Sequence, residues 1–250
     1  FATVMIAAGG YIINNIMDQA TDNDNKPNQV VVGKSISETN AYNAYFACTV
    51  LGVGAGFYLS NVIEKPGFAA IFIIISATLY LYATSLKQML LIGNFVVALL
   101  LAFSVIIIGI FDLYPITNLE NQSIMGLLFR ILLDYAIFAF VINFIREIVK
   151  DLQDYEGDLS QGMNTLPIAF GVNRTSKLVF GLSFIPIICI VYYINTNLFA
   201  SGLVYATLYG LVFILAPLLY FSIKMWSAVS TKDFHHLSTV LKWILFFGIL

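Results

Sequence analysis

Asn14, Asp18 and Asp22 stand four residues apart inside the stretch Asn14 to Gln29, NNIMDQATDNDNKPNQ. On an α-helix this spacing stacks three polar groups along one face, drifting about 40° per step. The residues before them are apolar, so the carboxylates fall where a hydrophobic segment meets water. A second set, Asp151, Asp154 and Asp158, repeats the arrangement, Asp154 coming 136 residues after Asp18. Like charges crowded at a membrane edge are costly unless they are solvated, paired or metal-bound. A hard cation such as Mg²⁺ relieves the repulsion, because it takes oxygen ligands, keeps several waters and bridges carboxylates to phosphate oxygens. Two clusters can hold two Mg²⁺ ions and one diphosphate between them, which makes the diphosphate a better leaving group. This reading assigns Asp18, Asp22, Asp154 and Asp158 to catalysis and, together with Asp151, to metal binding. It assigns Asn14, Lys26, Lys87, Arg146 and Lys150 to the diphosphate. The plainer reading is a solvated helix end at the first cluster and an intrahelical ladder at the second. There Arg146, Lys150, Asp154 and Asp158 share one i,i+4 ridge beside Glu147–Asp151, with Lys150–Asp154 as the main pair.

Membrane helices must carry these side chains. The chain is 60% hydrophobic and 10% charged, where a soluble domain has roughly 25% charged residues. With a mean hydropathy of +0.88, it reads as a polytopic membrane protein. A net charge of −2 gives no electrostatic case for nucleic-acid binding. Cys48 and Cys189 lie in apolar runs without metal-site spacing and read as small hydrophobes.

Eight apolar segments are apparent, at about 1–18, 41–62, 67–85, 89–111, 125–146, 175–195, 199–224 and 238–250. The complete ones have the ~20 residues needed to cross ~30 Å of hydrocarbon. Runs this long without period-2 alternation mean helices and not a barrel. The expected fold is therefore all-α, a polytopic membrane helical bundle forming a single domain over 1–250. Phe1 and Leu250 both lie inside apolar runs. The expectation is a chain that lacks at least one N-terminal span and part of its last.

If the Asn23–Asn40 loop is cytoplasmic, Lys26, Lys34, Lys87, Arg146, Lys150, Arg174, Lys177, Lys224 and Lys232 fall inside and only Lys65 and Arg130 outside. Nine against two is a clear positive-inside bias, and both aspartate clusters land on the cytoplasmic side of an inner or plasma membrane.

These residues resemble the UbiA family of intramembrane prenyltransferases. That family carries N-[DN]-x-x-D-x-x-x-D, then a basic-Pro pair and a G-x-[IL]-S turn, and later D-x-x-x-D-x-x-x-G. Here the first motif is Asn14-Asn15-Ile16-Met17-Asp18 with Asp22, Lys26-Pro27 and Gly33-Lys34-Ser35-Ile36-Ser37. The second is Asp154-Tyr155-Glu156-Gly157-Asp158 with Gly162. The resemblance spans essentially the whole chain and implies a nine-helix bundle, about eight helices of which are present here. It implies two Mg²⁺ ions, a polyprenyl diphosphate donor and a lipophilic acceptor met within membrane lipid. Arg146-Glu147-Ile148-Val149-Lys150-Asp151, Thr165-Leu166-Pro167-Ile168, Leu86-Lys87 and Ile92-Gly93-Asn94 are similar to the branch making archaeal-type ether lipids. For that branch the acceptor is geranylgeranylglyceryl phosphate. Asn15 replaces the more usual Asp, and Gln29-Val30 stand where many relatives have Arg-Pro. Gln29 is therefore left outside the site, and Lys34 is the residue that can supply the missing charge.

Other readings stay open at this level. The acceptor can instead be aromatic, as in quinone or related cofactor synthesis. A cation-coupled transporter also uses membrane carboxylates, though near the midplane on broken helices. A CDP-alcohol phosphatidyltransferase would need a D-G-x-x-A-R start, which is missing. Arg130 and Asp134 read as a structural pair near the outer interface, about 25 Å of helix from Asp151. His235-His236 reads as a solvated pair, and Tyr80 and Tyr82 as candidates to line a prenyl pocket through their aromatic faces.

Overall fold

The computed structural model describes residues 1–25, 28 and 30–249. Six helices are long and apolar enough to cross a membrane: Glu38–Val62, Pro66–Thr84, Ile92–Ile116, Gln122–Gln153, Val172–Phe199 and Val204–Ser227. The apolar Ala2–Met17 and the C-terminal Thr231–Ile249 complete the eight segments read from hydrophobicity. In lipid every backbone N–H and C=O must be satisfied within the segment, which is why such runs become helices.

In chain order the α-helices are α1 (Ala2–Met17), α2 (Gln19–Asn25), α3 (Glu38–Val62), α4 (Ala69–Thr84), α5 (Ile92–Ile108) and α6 (Gln122–Gln153). They continue as α7 (Tyr155–Ser160), α8 (Leu166–Phe170), α9 (Val172–Tyr193), α10 (Val204–Tyr209), α11 (Ala216–Ser227) and α12 (Thr231–Ile249). π-turns at Gly109–Leu113, Ile194–Phe199 and Gly210–Leu215 extend α5 and α9 and join α10 to α11 without leaving the helical path.

Among the described residues two larger apolar cores divide the bundle, and a smaller one joins Ile13, Ile16, Val32, Ala41 and Ala83. One of the larger two gathers Ile6, Phe72, Ile107 and Phe111 from α1, α4 and the end of the α5 span. The other gathers Ile142, Ile148, Val179, Leu218, Phe221 and Leu241 from α6, α9, α11 and α12. Lipid tails are as apolar as these side chains, so close packing and not water exclusion holds membrane helices together. Small residues permit that closeness. A Cβ on Gly52 would fall 2.6 Å from Ile6 of α1, and one on Gly56 would fall 2.3 Å from the Phe72 ring of α4. In the second core Ser183 donates to Ser222 at 2.9 Å, tying α9 to α11; such interhelical bonds contribute about 0.6 kcal/mol each.

The halves meet chiefly where α5 runs along α6. At one end of that seam α1 gives way to α2, and α6 gives way to α7. This is the carboxylate end of the bundle.

Candidate active site

Asp18 and Asp154 occupy equivalent places. Each ends a membrane helix in a non-helical residue, with φ −91°, ψ 3° at Asp18 and φ −98°, ψ 13° at Asp154. Each is followed by a short helix that carries the next aspartate, Asp22 on α2 and Asp158 on α7. Each pair thus flanks a bend, and i,i+4 main-chain bonds still run across it, Asp22 N–H to the Asp18 carbonyl at 2.8 Å and Asp158 N–H to the Asp154 carbonyl at 3.1 Å. Asp158 is buried, and its main chain receives Met163 N–H at 3.0 Å.

The contacts place both bends at one end. Lys87 Nζ forms an ion pair with Asp18 Oδ1, and Asn14 Nδ2 donates to Asp18 Oδ2 at 2.5 Å. Lys87 rides on the short Leu86–Gln88 turn between α4 and α5. Gly93 packs directly beneath that turn, where a Cβ would lie 2.7 Å from Lys87 Cα. From the same turn the Gln88 carbonyl accepts Asn164 N–H at 3.0 Å, in the loop that follows α7. One helical turn on, Asn94 Nδ2 donates to Asp151 at 2.8 Å. Across the opening Ser160 Oγ donates to Asp24 at 2.6 Å and Gln161 Nε2 to the same oxygen at 3.3 Å, clasping α7 to α2. Residues 86–94 thus touch both acidic motifs.

The second motif carries its own cations. Lys150 Nζ lies 3.0 Å from both oxygens of Glu147, and Arg146 Nη1 lies 3.3 Å from Oε1. The ladder expected there runs to Glu147, a buried acid, and not chiefly from Lys150 to Asp154. The physical reason is that Glu147, buried one turn earlier, holds Lys150 through both carboxylate oxygens. Lys26 and Gln29 lie outside the described residues. Lys34 reaches Asn23 Oδ1 at 3.2 Å. It stands on the G-x-[IL]-S turn, where Gly33 at φ +82° and its N–H to Ile36 carbonyl bond (2.8 Å) fold the loop against Gln19 of α2.

Some residues that sequence reasoning left aside join the site. Asn94 and Glu147 contact its charged groups directly, and Tyr82 stands within electrostatic reach of Glu147, Asp151, Asp18 and Asp158 together. Tyr82 had a signal, its spacing before Lys87. Tyr80 faces outward and stacks on Tyr45 with ring centroids 6.4 Å apart. Asn94 had a signal too, as part of the Ile92-Gly93-Asn94 stretch similar to the ether-lipid branch. Arg130 and Asp134 do not form the expected pair: both are exposed, and among the described residues no ion pair joins them. His236 Nε2 meets Tyr220 OH at 2.9 Å, which leaves the histidine pair no role at the carboxylates. Because the acids sit at helix ends and not on broken midplane helices, the transporter reading loses its structural basis.

Among the described residues, no three His, Cys, Asp or Glu side chains stand close enough to ligate one metal ion. The donor set still fits a hard cation. Mg²⁺ uses one or two carboxylates and completes its shell with phosphate and water. Beside Asp18, Asn14 Oδ1 is buried and unpartnered, an oxygen donor in want of a partner.

A model of the UbiA prenyltransferase family matches residues 1–246. Digeranylgeranylglyceryl phosphate synthase of Korarchaeum cryptofilum is 31% identical over 206 residues, covering 82% of this chain and 66% of that protein. The protein of the same name from Sulfolobus acidocaldarius is 34% identical over 181 residues, covering 71% and 59%. That of Methanobrevibacter smithii is 30% identical over 218 residues, covering 84% and 73%. The chain thus spans less than two thirds of the length of the first two. A solved structure from work on digeranylgeranylglyceryl phosphate synthase in membranes matches with a TM-score of 0.65 at 21% identity, covering 100% of this chain and 82% of the other.

Proposed function

This chain belongs to the UbiA prenyltransferase family, and on that footing we propose that it moves a geranylgeranyl-type group from its diphosphate to a lipophilic acceptor, geranylgeranylglyceryl phosphate. Relatives named digeranylgeranylglyceryl phosphate synthase support the choice of acceptor. The observation that carries the reading is the pair of helix bends that brings Asp18, Asp22, Asp154 and Asp158 to one end of the bundle, with Lys87 beside them. The excess of Lys and Arg in the loops on that side supports a cytoplasmic position.

Asp18, Asp22, Asp154 and Asp158, with Asn14 Oδ1, are the groups that would hold Mg²⁺. When bound, the metal neutralises the diphosphate and improves it as a leaving group. Lys87, Lys150 and Arg146 add positive charge toward the same oxygens, and Lys26 is proposed to join them. Within the site the allylic C–O bond breaks, and its electron pair leaves with diphosphate. The acceptor hydroxyl oxygen then bonds to the freed carbon and gives up its proton to the released diphosphate, forming an O-prenyl ether. The prenyl tail stays in the apolar interior, open to lipid.

Asp18→Ala and Asp158→Ala, assayed in vesicles with labelled geranylgeranyl diphosphate, should each lose at least about 10²-fold in turnover while keeping the wild-type melting temperature. Activity retained in either variant removes the carboxylate assignment. An acceptor panel separates ether formation from prenylation of an aromatic ring, and product from the aromatic alone would overturn the choice of acceptor.

A further inference from the structure

A groove between the last two spans lies outside the carboxylate site. Phe213, Ala216 and Tyr220 line one wall and Val240, Trp243 and Phe247 the other, around a volume of about 390 Å³. It opens sideways, with Trp243 54% exposed. From Val240 to Phe247 it runs ~10 Å along α12, within the ~15 Å of hydrocarbon in one leaflet.

At the carboxylate end of the bundle the lining turns polar. Tyr220 OH and His236 Nε2, 2.9 Å apart, bridge the two walls. Lys224 follows Tyr220 by one turn of α11, and Lys232 precedes His236 by one turn of α12. Lys224, Lys232 and His236 are all exposed. The acid among them, Asp233, is already engaged, accepting from Ser230 Oγ at 2.7 Å and from the Ser230 and Val229 N–H groups at 2.9 and 3.3 Å. Lys224 and Lys232 with Asp233 carry a net charge of about +1, so the apolar slot ends in net positive charge at the membrane edge.

We infer that this groove binds one anionic phospholipid of the leaflet at the carboxylate end. One chain lies in the slot beside Trp243, and the phosphate sits against Lys224, Lys232 and His236. Charge complementarity selects the occupant. A zwitterionic lipid brings no net charge to the cations. A second copy packed symmetrically on this face would set the same lysines opposite one another, since a two-fold contact pairs like patches. One net positive charge at a membrane surface favours anionic lipid by about fivefold.

The chain has two tryptophans, so Trp226→Phe leaves Trp243 as the sole reporter. This protein is placed in phosphatidylcholine vesicles containing a small mole fraction of phosphatidic acid with brominated chains, which quench tryptophan on contact. The expected result is quenching on the order of fivefold stronger than that by brominated phosphatidylcholine at equal mole fraction. Adding Lys224→Gln and Lys232→Gln should abolish the excess. Equal quenching by the two lipids overturns the inference, and so does an excess that survives loss of both lysines. Trp243 shielded from every lipid in a protein that runs as a dimer assigns the groove to a second copy and overturns it as well. The readout does not depend on transferase activity, so it stands or falls separately from the function proposed above.

Discussion

Gly93→Ala asks whether the backbone of one turn sets the position of a cation in the site. A Cβ at Gly93 would lie 2.7 Å from Lys87 Cα, 2.9 Å from the Leu86 carbonyl oxygen and 3.3 Å from Lys87 N. All three are main-chain atoms, so no side-chain rotation relieves the clash. Reaching an ordinary contact means moving the turn by about 0.7 Å in a closely packed interior. The connection has little slack, because Leu91 already sits at φ +60°, a left-handed conformation that a branched side chain disfavours. The retreat must therefore carry Lys87 away from Asp18. Misplacement of a positioning group by 1 Å costs about 10²-fold, so a loss of roughly 10- to 50-fold in turnover is expected. Overpacking of this kind also destabilises by about 1–3 kcal/mol. Diphosphate release by the purified variant in vesicles measures the first effect, and thermal unfolding in the same lipid measures the second. Gly54→Ala is the control, since a Cβ there meets nothing within 4 Å. Gly93→Ala turnover within threefold of wild type, in a protein that melts as wild type does, would refute the reasoning.

Asn94→Leu removes the donor to Asp151, leaves a carboxylate short of a partner about 1–3 kcal/mol worse off, and should lower kcat/KM by about tenfold or more in the same assay. Ser160→Ala with Gln161→Ala opens the α2–α7 clasp; KM for the diphosphate donor should rise about three- to tenfold, roughly the worth of one or two hydrogen bonds, with melting unchanged. At Asp233, hydrogen bonds from Ser230 Oγ and from the Ser230 and Val229 N–H groups hold the carboxyl below the ordinary carboxylate value. A lowered folded pKa contributes stability that is present above the unfolded value of about 3.9 and lost as pH falls through the lower folded one. Asp233→Asn should thus melt below wild type at pH 7, and the gap should close as pH drops under about 4. A gap that stays constant with pH would assign the effect to packing.

The spans were legible because lipid leaves a backbone few options. Twenty apolar residues in a row have to be a helix, and all eight segments fall on helices, though α6 runs seven residues past 146 and α12 starts seven before 238. The carboxylates were legible because like charges at helix ends need a reason. Two features were not. Asp18 and Asp154 sit at bends, and nothing in an i,i+4 spacing distinguishes a bend from a continuous helix, since either places the aspartates near one another. The link through residues 86–94 was also hidden. Lys87, Gly93 and Asn94 come from a short polar gap between two spans, and their bonds to Asp18, Asn164 and Asp151 depend on how the halves pack. Apolar periodicity does not report that packing when lipid and core are equally apolar. For the same reason Arg130 and Asp134, correctly spaced for a pair on one face, point into the surroundings and not at one another.

The bends also explain why the acidic residues need cations. Asp18 and Asp154 stand at the C-termini of α1 and α6, the negative end of each helix dipole, where a carboxylate is disfavoured by about 0.3–1 kcal/mol at an exposed site and more when partly buried. Each residue also precedes the first turn of a short helix, whose N–H groups offset part of that penalty. Short helices of this length, Gln19–Asn25 and Tyr155–Ser160, have small dipoles, and the offset is incomplete. The remainder falls to external positive charge. At Asp18 it is met by Lys87, and Lys150 stands one turn before Asp154, although it and Arg146 pair with Glu147. Under the proposed function, diphosphate would compete for these same lysines and strip the carboxylates of their counterions. The aspartates would then accept that exchange only if a cation came with the substrate. Replacing Lys87 with Met should therefore raise the divalent-ion requirement of catalysis at fixed diphosphate concentration, whereas a lysine that merely braced the fold would leave the requirement unchanged.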